Sequence, residues 1–133
     1  MLRPKALDHV ALKVTDMDKT LHFYHHLLGL ELLRTSAPNA EGGRSAVLKL
    51  GRQEINVFSR PYFVALDQQN AVGVEHFCIT MDVGSVEELI DALREVGIEG
   101  VRGPKVFRDG VSVFVYDPDG LNVELRVEDK QPT

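Results

Sequence analysis

The chain has 133 residues, of which 44% are hydrophobic and 26% charged, and its formal net charge is −5. These values exclude disordered and fibrous classes, and a mildly acidic chain without a basic cluster lacks the electrostatic pattern of a nucleic-acid-binding protein. No stretch approaches the ~18 apolar residues of a membrane span, and the N-terminus has no apolar run of signal-peptide length. We therefore expect a cytoplasmic protein with neither a nucleic-acid nor a membrane partner.

The cysteine and histidine content limits the kinds of metal site that the chain can build. One cysteine, Cys78, excludes an internal disulfide framework and a zinc site made of thiolates. The chain has five histidines. Any metal ion must therefore be held by imidazole nitrogen and carboxylate oxygen.

The most informative feature of the sequence is an internal repeat with a period of about 67 residues. An acidic residue and a histidine open a β-type segment at Asp8-His9 and again at Glu75-His76. Each segment precedes a helical pattern that ends at a glycine, Gly29 in the first half and Gly97 in the second, which is a typical C-terminal signal.

After each helix the pattern changes to β-type segments separated by turn signals, of which Asp117-Pro118-Asp119-Gly120 is the strongest. Each half therefore reads as a βαβββ module. We predict an α+β fold in which the two modules, about residues 7–59 and 74–127, are joined by a linker, 60–73. Together they form a single domain, 1–133, whose curved eight-stranded mixed sheet has a metal-binding concave cleft.

Three side chains that can bind a metal fall on one face of the predicted sheet. Strand residues alternate between faces, and the apolar residues occupy the face under the helices, which leaves His9, His76 and Glu124 on the other. A lone histidine in a strand is usually solvated or hydrogen-bonded in the core, but recurrence at the same place in a repeat favours a ligand. Two imidazoles and one carboxylate suit Fe, Mn, Ni or Zn and leave positions open for substrate.

The remaining candidate residues have simpler interpretations. Leu21, Tyr24 and Leu28 have the spacing of a buried helical stripe, so the three histidines between them are expected to be exposed. Cys78 lies on the same face as the candidate ligands, but a single cysteine without an established base is more often a small buried apolar residue.

These features resemble the vicinal oxygen chelate superfamily, which includes glyoxalase I, bleomycin-resistance proteins, fosfomycin-resistance thiol transferases and extradiol dioxygenases. The resemblance runs from Leu7 to Val127 and is carried by the two strand-opening histidines, by Phe23-Tyr24 with Leu28-Gly29-Leu30, and by the Asp-Pro-Asp-Gly turn that precedes Glu124. It implies paired βαβββ modules and a divalent metal ion that is chelated by two neighbouring oxygens of the substrate. It also implies a homodimer, with the modules paired within one chain or across two.

The chain departs from the glyoxalase I pattern at one position. Glyoxalase I carries a fourth metal ligand, a Glu in the last strand of the first module. The matching residue here is best read as Asn56, or as Phe58 if the preceding turn is counted in strict register, and Glu54 lies one residue pair earlier. Since neither matching residue is a carboxylate, the four-ligand site is incomplete in this sequence.

The resemblance implies a metal-dependent enzyme that acts like glyoxalase I, a lactoylglutathione lyase-like lyase or isomerase, on a small molecule with two adjacent oxygens. His9, His76 and Glu124 would bind the metal, and Glu124 would also serve as the base. The residues expected to contact substrate are Asn56, Tyr116 and Arg126.

Two alternatives remain open. The first is an extradiol-dioxygenase-like Fe(II) protein with a 2-His-1-carboxylate site, although those enzymes are typically longer and bring an additional acid-base histidine. The second is an antibiotic-resistance thiol transferase or a non-catalytic drug- or metabolite-binding protein. The fosfomycin enzymes carry Thr two residues after the first histidine, where this chain has Ala11.

Overall fold

The computed structural model describes residues 1–129, which fold into two compact units. The first unit spans Met1–Ala65, and the second begins at Leu66. The boundary between them falls inside the predicted linker, 60–73.

The first unit contains one βαβββ module. Its elements are β1 (His9–Val14), α1 (Met17–Leu21), a π-helical turn (His22–Leu27), β2 (Glu31–Thr35), β3 (Arg44–Leu50) and β4 (Gln53–Ser59). The strand order in its sheet is β1-β4-β3-β2. β1 runs parallel to β4, whereas the other neighbours are antiparallel.

The second unit repeats this arrangement. Its elements are β5 (His76–Thr80), α2 (Val86–Glu95), β6 (Arg102–Phe107), β7 (Gly110–Tyr116) and β8 (Asn122–Glu128). The strand order is β5-β8-β7-β6, with β5 parallel to β8. The sequence repeat is therefore a structural repeat.

The predicted α+β class and the two βαβββ modules are confirmed. Where the sequence suggested one curved sheet of eight strands, hydrogen bonding divides the strands into two mixed sheets of four. The physical reason is that β1 and β5 are edge strands, each paired with the last strand of its own unit. In the described part of the chain, no helix has the length and apolar character needed to cross a membrane.

The first helix differs from its predicted α-helical form. The Leu28 N–H donates to the Phe23 carbonyl at 3.0 Å, which is the i→i+5 bond of a π-helical turn. The wider turn buries Phe23 as well as Tyr24, which are 6% and 0% exposed. As expected, the helix histidines are exposed, and they are His22, His25 and His26.

The turn that joins β7 to β8 sets the register of the last strand. The Asp117 carboxylate accepts hydrogen bonds from the backbone N–H groups of Asp119 and Leu121, both at 2.9 Å. Gly120 closes the turn at φ +83°, a conformation that L-residues with a side chain rarely adopt. β8 therefore starts at a defined residue, Asn122. Because strand side chains alternate, this start determines which face of the sheet each β8 side chain occupies.

The alternate residues of β8 and β7 form the core of the second unit. Four of them are fully buried, namely Val113, Val115, Val123 and Leu125. α2 lies against β7 and buries its own Leu89 and Leu93.

We expect Val123→Ala to lower the free energy of unfolding by about 2 kcal/mol, because two buried methyl groups are lost and a cavity remains.

Val106→Ala is the matched control for this prediction. Val106 lies in β6 and is 78% exposed, so the same substitution there should change the free energy of unfolding by less than about 0.5 kcal/mol. Urea unfolding followed by circular dichroism measures both values. Equal losses in the two variants would contradict the placement of the β8 core face.

Candidate functional site

The parallel pairing of β5 with β8 brings two of the predicted metal ligands together. His76 pairs with Asn122 and Cys78 pairs with Glu124, so His76 and Glu124 are diagonal neighbours on one face of the sheet. His76 Nε2 lies 3.0 Å from Glu124 Oε1. The imidazole is partly exposed, whereas the Glu124 side chain is only 5% exposed.

The other nitrogen of His76 has its own carboxylate partner. His76 Nδ1 lies 3.2 Å from Glu75 Oε1. The side-chain amide of Asn122 also donates to Glu75, and these two contacts lower the pKa of the Glu75 carboxyl. In a neutral imidazole, the proton on Nδ1 points at Glu75 and leaves Nε2 as the acceptor or metal ligand.

Glu124 is buried, yet it is held in its charged form. Burial raises the pKa of its carboxyl, but hydrogen bonds from Ser112 and Arg126, with the positive charge of Arg126, outweigh burial and lower it. Ser112 Oγ donates to Glu124 Oε2 at 2.7 Å, and Arg126 Nη2 donates to the same oxygen at 2.8 Å. Both donors act on Oε2, so Oε1 remains directed at His76.

Arg126 is itself held by several groups. Its Nε donates to Ser112 Oγ at 3.1 Å and its Nη1 donates to Asp109 at 3.1 Å. The guanidinium carbon lies 4.5 Å from the centre of the Phe107 ring. All three guanidinium nitrogens therefore bind protein groups, and Arg126 supports Glu124 directly. The expected contact of Arg126 with substrate stays a prediction.

His9 lies at the start of β1 in the first unit and has a similar local arrangement. Its Nδ1 lies 2.7 Å from the carboxylate of the preceding residue, Asp8. The repeated acid-histidine pair thus holds Nδ1 in both units and leaves Nε2 available. Residues 1–129 contain no group of three His, Cys, Asp or Glu side chains placed to hold a metal ion. The three-ligand site stays a prediction.

The register of the first unit identifies the residue that corresponds to Glu124. In the pairing of β1 with β4, His9 lies opposite Glu54 and Ala11 lies opposite Asn56. Asn56 therefore holds the place that Glu124 holds in the second unit, and Phe58 does not. Among the described residues, Asn56 Oδ1 is buried without a hydrogen-bond partner. An unpaired buried acceptor is costly, so this atom is available to a ligand.

A cavity of about 540 Å³ lies in the second unit beside the His76–Glu124 pair. Its lining residues are Gln68, Gln69, Glu75, Arg102, Tyr116, Gly120 and Asn122. Tyr116, a predicted substrate contact, is 56% exposed there, and the Arg102 guanidinium carbon lies 3.8 Å from the centre of its ring.

Sequence reasoning missed Arg102 and Ser112, because their roles depend on strand pairing. Ser112 lies opposite Arg126 in the pairing of β7 with β8, and Arg102 lies opposite Phe114 in that of β6 with β7. The sequence offered one weak signal, a polar residue, Ser112, inside an otherwise apolar strand. The structure shows that this serine is fully buried.

The comparisons with known proteins agree with this fold. The family model described as Glyoxalase/Bleomycin resistance protein/Dioxygenase superfamily matches residues 6–125. The chain belongs to this superfamily. The resemblance found in the sequence is thereby confirmed.

Curated and solved members of the superfamily resemble most of the chain. It is 33% identical to the lactoylglutathione lyase GLX1 of Arabidopsis thaliana over 88% of this chain, but it spans only 42% of that protein. It is 30% identical to the lactoylglutathione lyase of Escherichia coli O157:H7, covering 92% of this chain and 91% of the relative. A glyoxalase family protein from Enterococcus faecalis is 34% identical with a TM-score of 0.74, covering 92% of this chain and 97% of that structure.

Cys78 is exposed rather than buried, and it neighbours Glu124 across the strand pair. Desolvation of the thiol and the negative charge of Glu124 raise the pKa of Cys78 to about 11. Roughly one thiol in a thousand is then ionised at pH 8.

We expect Glu124→Gln to lower this pKa and to increase alkylation by iodoacetamide at pH 8 several-fold.

The measurement is the alkylation rate of Cys78 between pH 7 and pH 11, followed by mass spectrometry. Asp91→Asn is the matched control, because it removes an exposed carboxylate on α2 and should leave the profile unchanged. A wild-type midpoint near the ordinary thiol value of about 8.5 would contradict the placement of Glu124 beside Cys78.

Proposed function

We propose that this chain is a metal-dependent enzyme, a lyase or isomerase of the lactoylglutathione lyase type, that acts on a small molecule with two adjacent oxygens. One observation carries the proposal. His76 Nε2 faces Glu124 Oε1 at 3.0 Å, while Glu75 binds the opposite nitrogen of the same ring.

That arrangement suits a metal ion bound by the two facing atoms. When Nδ1 donates its proton to Glu75, Nε2 is a lone-pair acceptor, and the Glu124 carboxylate has no proton to offer. Two acceptors attract each other only through a shared proton or a metal ion. His76 Nε2 and Glu124 Oε1 are close enough to bind one metal ion together, and that ion would supply the charge that joins them.

The donor set supports a resident divalent metal of the Fe, Ni, Zn or Mn type. His9 would be the third ligand, supplied by the same chain or by a second copy in a homodimer. The hydrogen bond from its Nδ1 to Asp8 orients the ring as Glu75 orients His76. The fourth position of the glyoxalase I pattern holds Asn56, which offers a substrate oxygen a neutral amide in place of a carboxylate.

The residues of the second unit fit proton transfer next to a polarised carbonyl. A divalent metal at this site supplies Lewis-acid polarisation of two neighbouring substrate oxygens. Glu124 would act as the base through Oε1 when that oxygen is displaced from the metal, because Ser112 and Arg126 hold Oε2 and keep the group ionised. Tyr116 and the side-chain amide of Asn56 would contact the substrate.

The names of the relatives support the substrate type. A lactoyl group carries a carbonyl oxygen and a hydroxyl oxygen on neighbouring carbons, which matches the expected pair of adjacent oxygens. The bacterial relative is covered over 91% of its length, so the proposal does not depend on the longer plant proteins.

An Fe(II) oxygenase is the second candidate function. Two imidazoles and one carboxylate with open positions also form the ligand set of non-haem iron oxygenases. The two functions differ in the metal bound by the isolated protein and in oxygen consumption with catechols, which only the second function requires.

We expect His76→Ala and His9→Ala each to lower metal affinity at least tenfold, because each removes one neutral nitrogen ligand. Glu124→Gln should have the same effect through loss of the anionic ligand. Equilibrium dialysis with elemental analysis measures the bound metal. His22→Ala is the control, since His22 is an exposed helix histidine, and its metal content should equal that of the wild type.

If His76→Ala and Glu124→Gln retained wild-type metal content, the proposed site would be wrong. If only His9→Ala retained it, the His76–Glu124 pair would stand and the third ligand would have to be another residue.

We expect the metal-loaded protein to turn over lactoylglutathione, and Glu124→Gln to lower kcat by roughly 10²–10⁴-fold as a general base is lost. The reaction is followed by the absorbance of the thioester, with Asp91→Asn as the control carboxylate variant. Oxygen uptake with catechols and no reaction with lactoylglutathione would contradict the lyase and favour the oxygenase.

A further inference from the structure

We propose that the cavity of the second unit binds the carboxylate group of a small molecule, with Arg102 as its receptor. The cavity, about 540 Å³, is of the size that holds small organic ligands. Arg102 is the cationic side chain among its lining residues.

The first argument is that Arg102 is held in place without a direct ion pair among the described residues, although its charge also acts on the Glu75 carboxylate. Its guanidinium carbon lies 3.8 Å from the centre of the Tyr116 ring and 5.9 Å from the centre of the Phe114 ring. Arg102 Nη2 donates to Asn122 Oδ1. Arg126, by contrast, pairs with both Asp109 and Glu124, whereas Arg102 forms no such ion pair within the described residues.

The second argument is an unused donor. Arg102 Nε is buried, and among the described residues it has no hydrogen-bond partner. A buried donor without a partner costs free energy that a bound acceptor would recover. Guanidinium nitrogens in a rigid plane match the two oxygens of a carboxylate, which can accept two parallel hydrogen bonds.

The third argument concerns the charge of the ligand. Glu75 also lines the cavity, but its carboxylate already accepts a hydrogen bond from Asn122 and faces His76. Its negative charge opposes a doubly charged anion such as phosphate more strongly than a singly charged carboxylate. The other polar side chains that line the cavity are neutral, so one negative charge fits it best; they are Gln68, Gln69, Tyr116 and Asn122.

The position of the cavity connects it with the proposed active site. Asn122 lies opposite His76 in the strand pairing, and the Phe114 ring lies 6.2 Å from the His76 ring. A substrate whose adjacent oxygens lie near His76 would thus reach Arg102 with a carboxylate a few bonds away. The identification of this ligand as the substrate rests on the proposed function, whereas carboxylate binding itself does not.

The experiment is an NMR titration of the protein as isolated with benzoate, with benzamide as a neutral ligand of the same shape and with inorganic phosphate. We expect benzoate to shift the backbone amides of Gly120 and Asn122 with at least tenfold higher affinity than benzamide or phosphate. Tighter binding of phosphate, or equal binding of benzoate and benzamide, would overturn the carboxylate assignment.

Variants test the role of the receptor. Arg102→Gln should weaken benzoate binding at least tenfold, and Arg102→Lys, which keeps the charge but not the planar fork, should weaken it several-fold. Arg94→Gln, on the exposed side of α2, should leave it unchanged. Thermal unfolding checks that each variant is folded, and unchanged benzoate affinity in a folded Arg102→Gln protein would overturn the proposal.

The same titration of Glu124→Gln separates this proposal from the proposed function. Benzoate affinity within twofold of the wild type would support a carboxylate site that does not depend on the metal ligands. Loss of benzoate binding in this variant would place the carboxylate at the metal, and the Arg102 site would be wrong.

Discussion

The candidate site depends on one constraint, the parallel pairing of the first and last strands within each unit. In the second unit this pairing brings the first residue of β5, His76, to within 3.0 Å of Glu124 in β8. A slip of one residue would turn Glu124 toward the apolar face under α2, because strand side chains alternate. The Asp117 turn prevents such a slip by fixing where β8 begins.

Burial of the Glu124 carboxylate then determines what surrounds it. A buried charge is tolerated only with partners, and Ser112 and Arg126 supply them on one oxygen only. The result is a line of polar contacts across the sheet that runs through Asp109, Arg126, Glu124, His76, Glu75, Asn122 and Arg102. The line contains two arginines in different states, since Arg126 is ion-paired with Asp109 and Glu124 whereas Arg102 has an unused donor. Arg126 thus fixes the proposed base, and Arg102 can bind a ligand.

Much of this could be predicted from the sequence, because it depends on local periodicity. The repeat placed His9 and His76 at equivalent positions, and alternation placed Glu124 on the same face as His76. The π-helical turn could not be predicted, since the spacing of Tyr24 and Leu28, which are both buried, also fits an α-helix. Ser112 and Arg102 were missed because their partners lie on other strands, and the choice of Asn56 over Phe58 needed the pairing of β1 with β4.

The central claim is that His76 and Glu124 bind the same metal ion. X-ray absorption of the zinc-loaded protein tests it most directly. The account predicts nitrogen and oxygen ligands at about 2.0–2.1 Å, with an imidazole signal that decreases in His76→Ala and an oxygen contribution that changes in Glu124→Gln. A spectrum of hydrated zinc that neither variant alters, or a sulfur ligand at about 2.3 Å from Cys78, would contradict it.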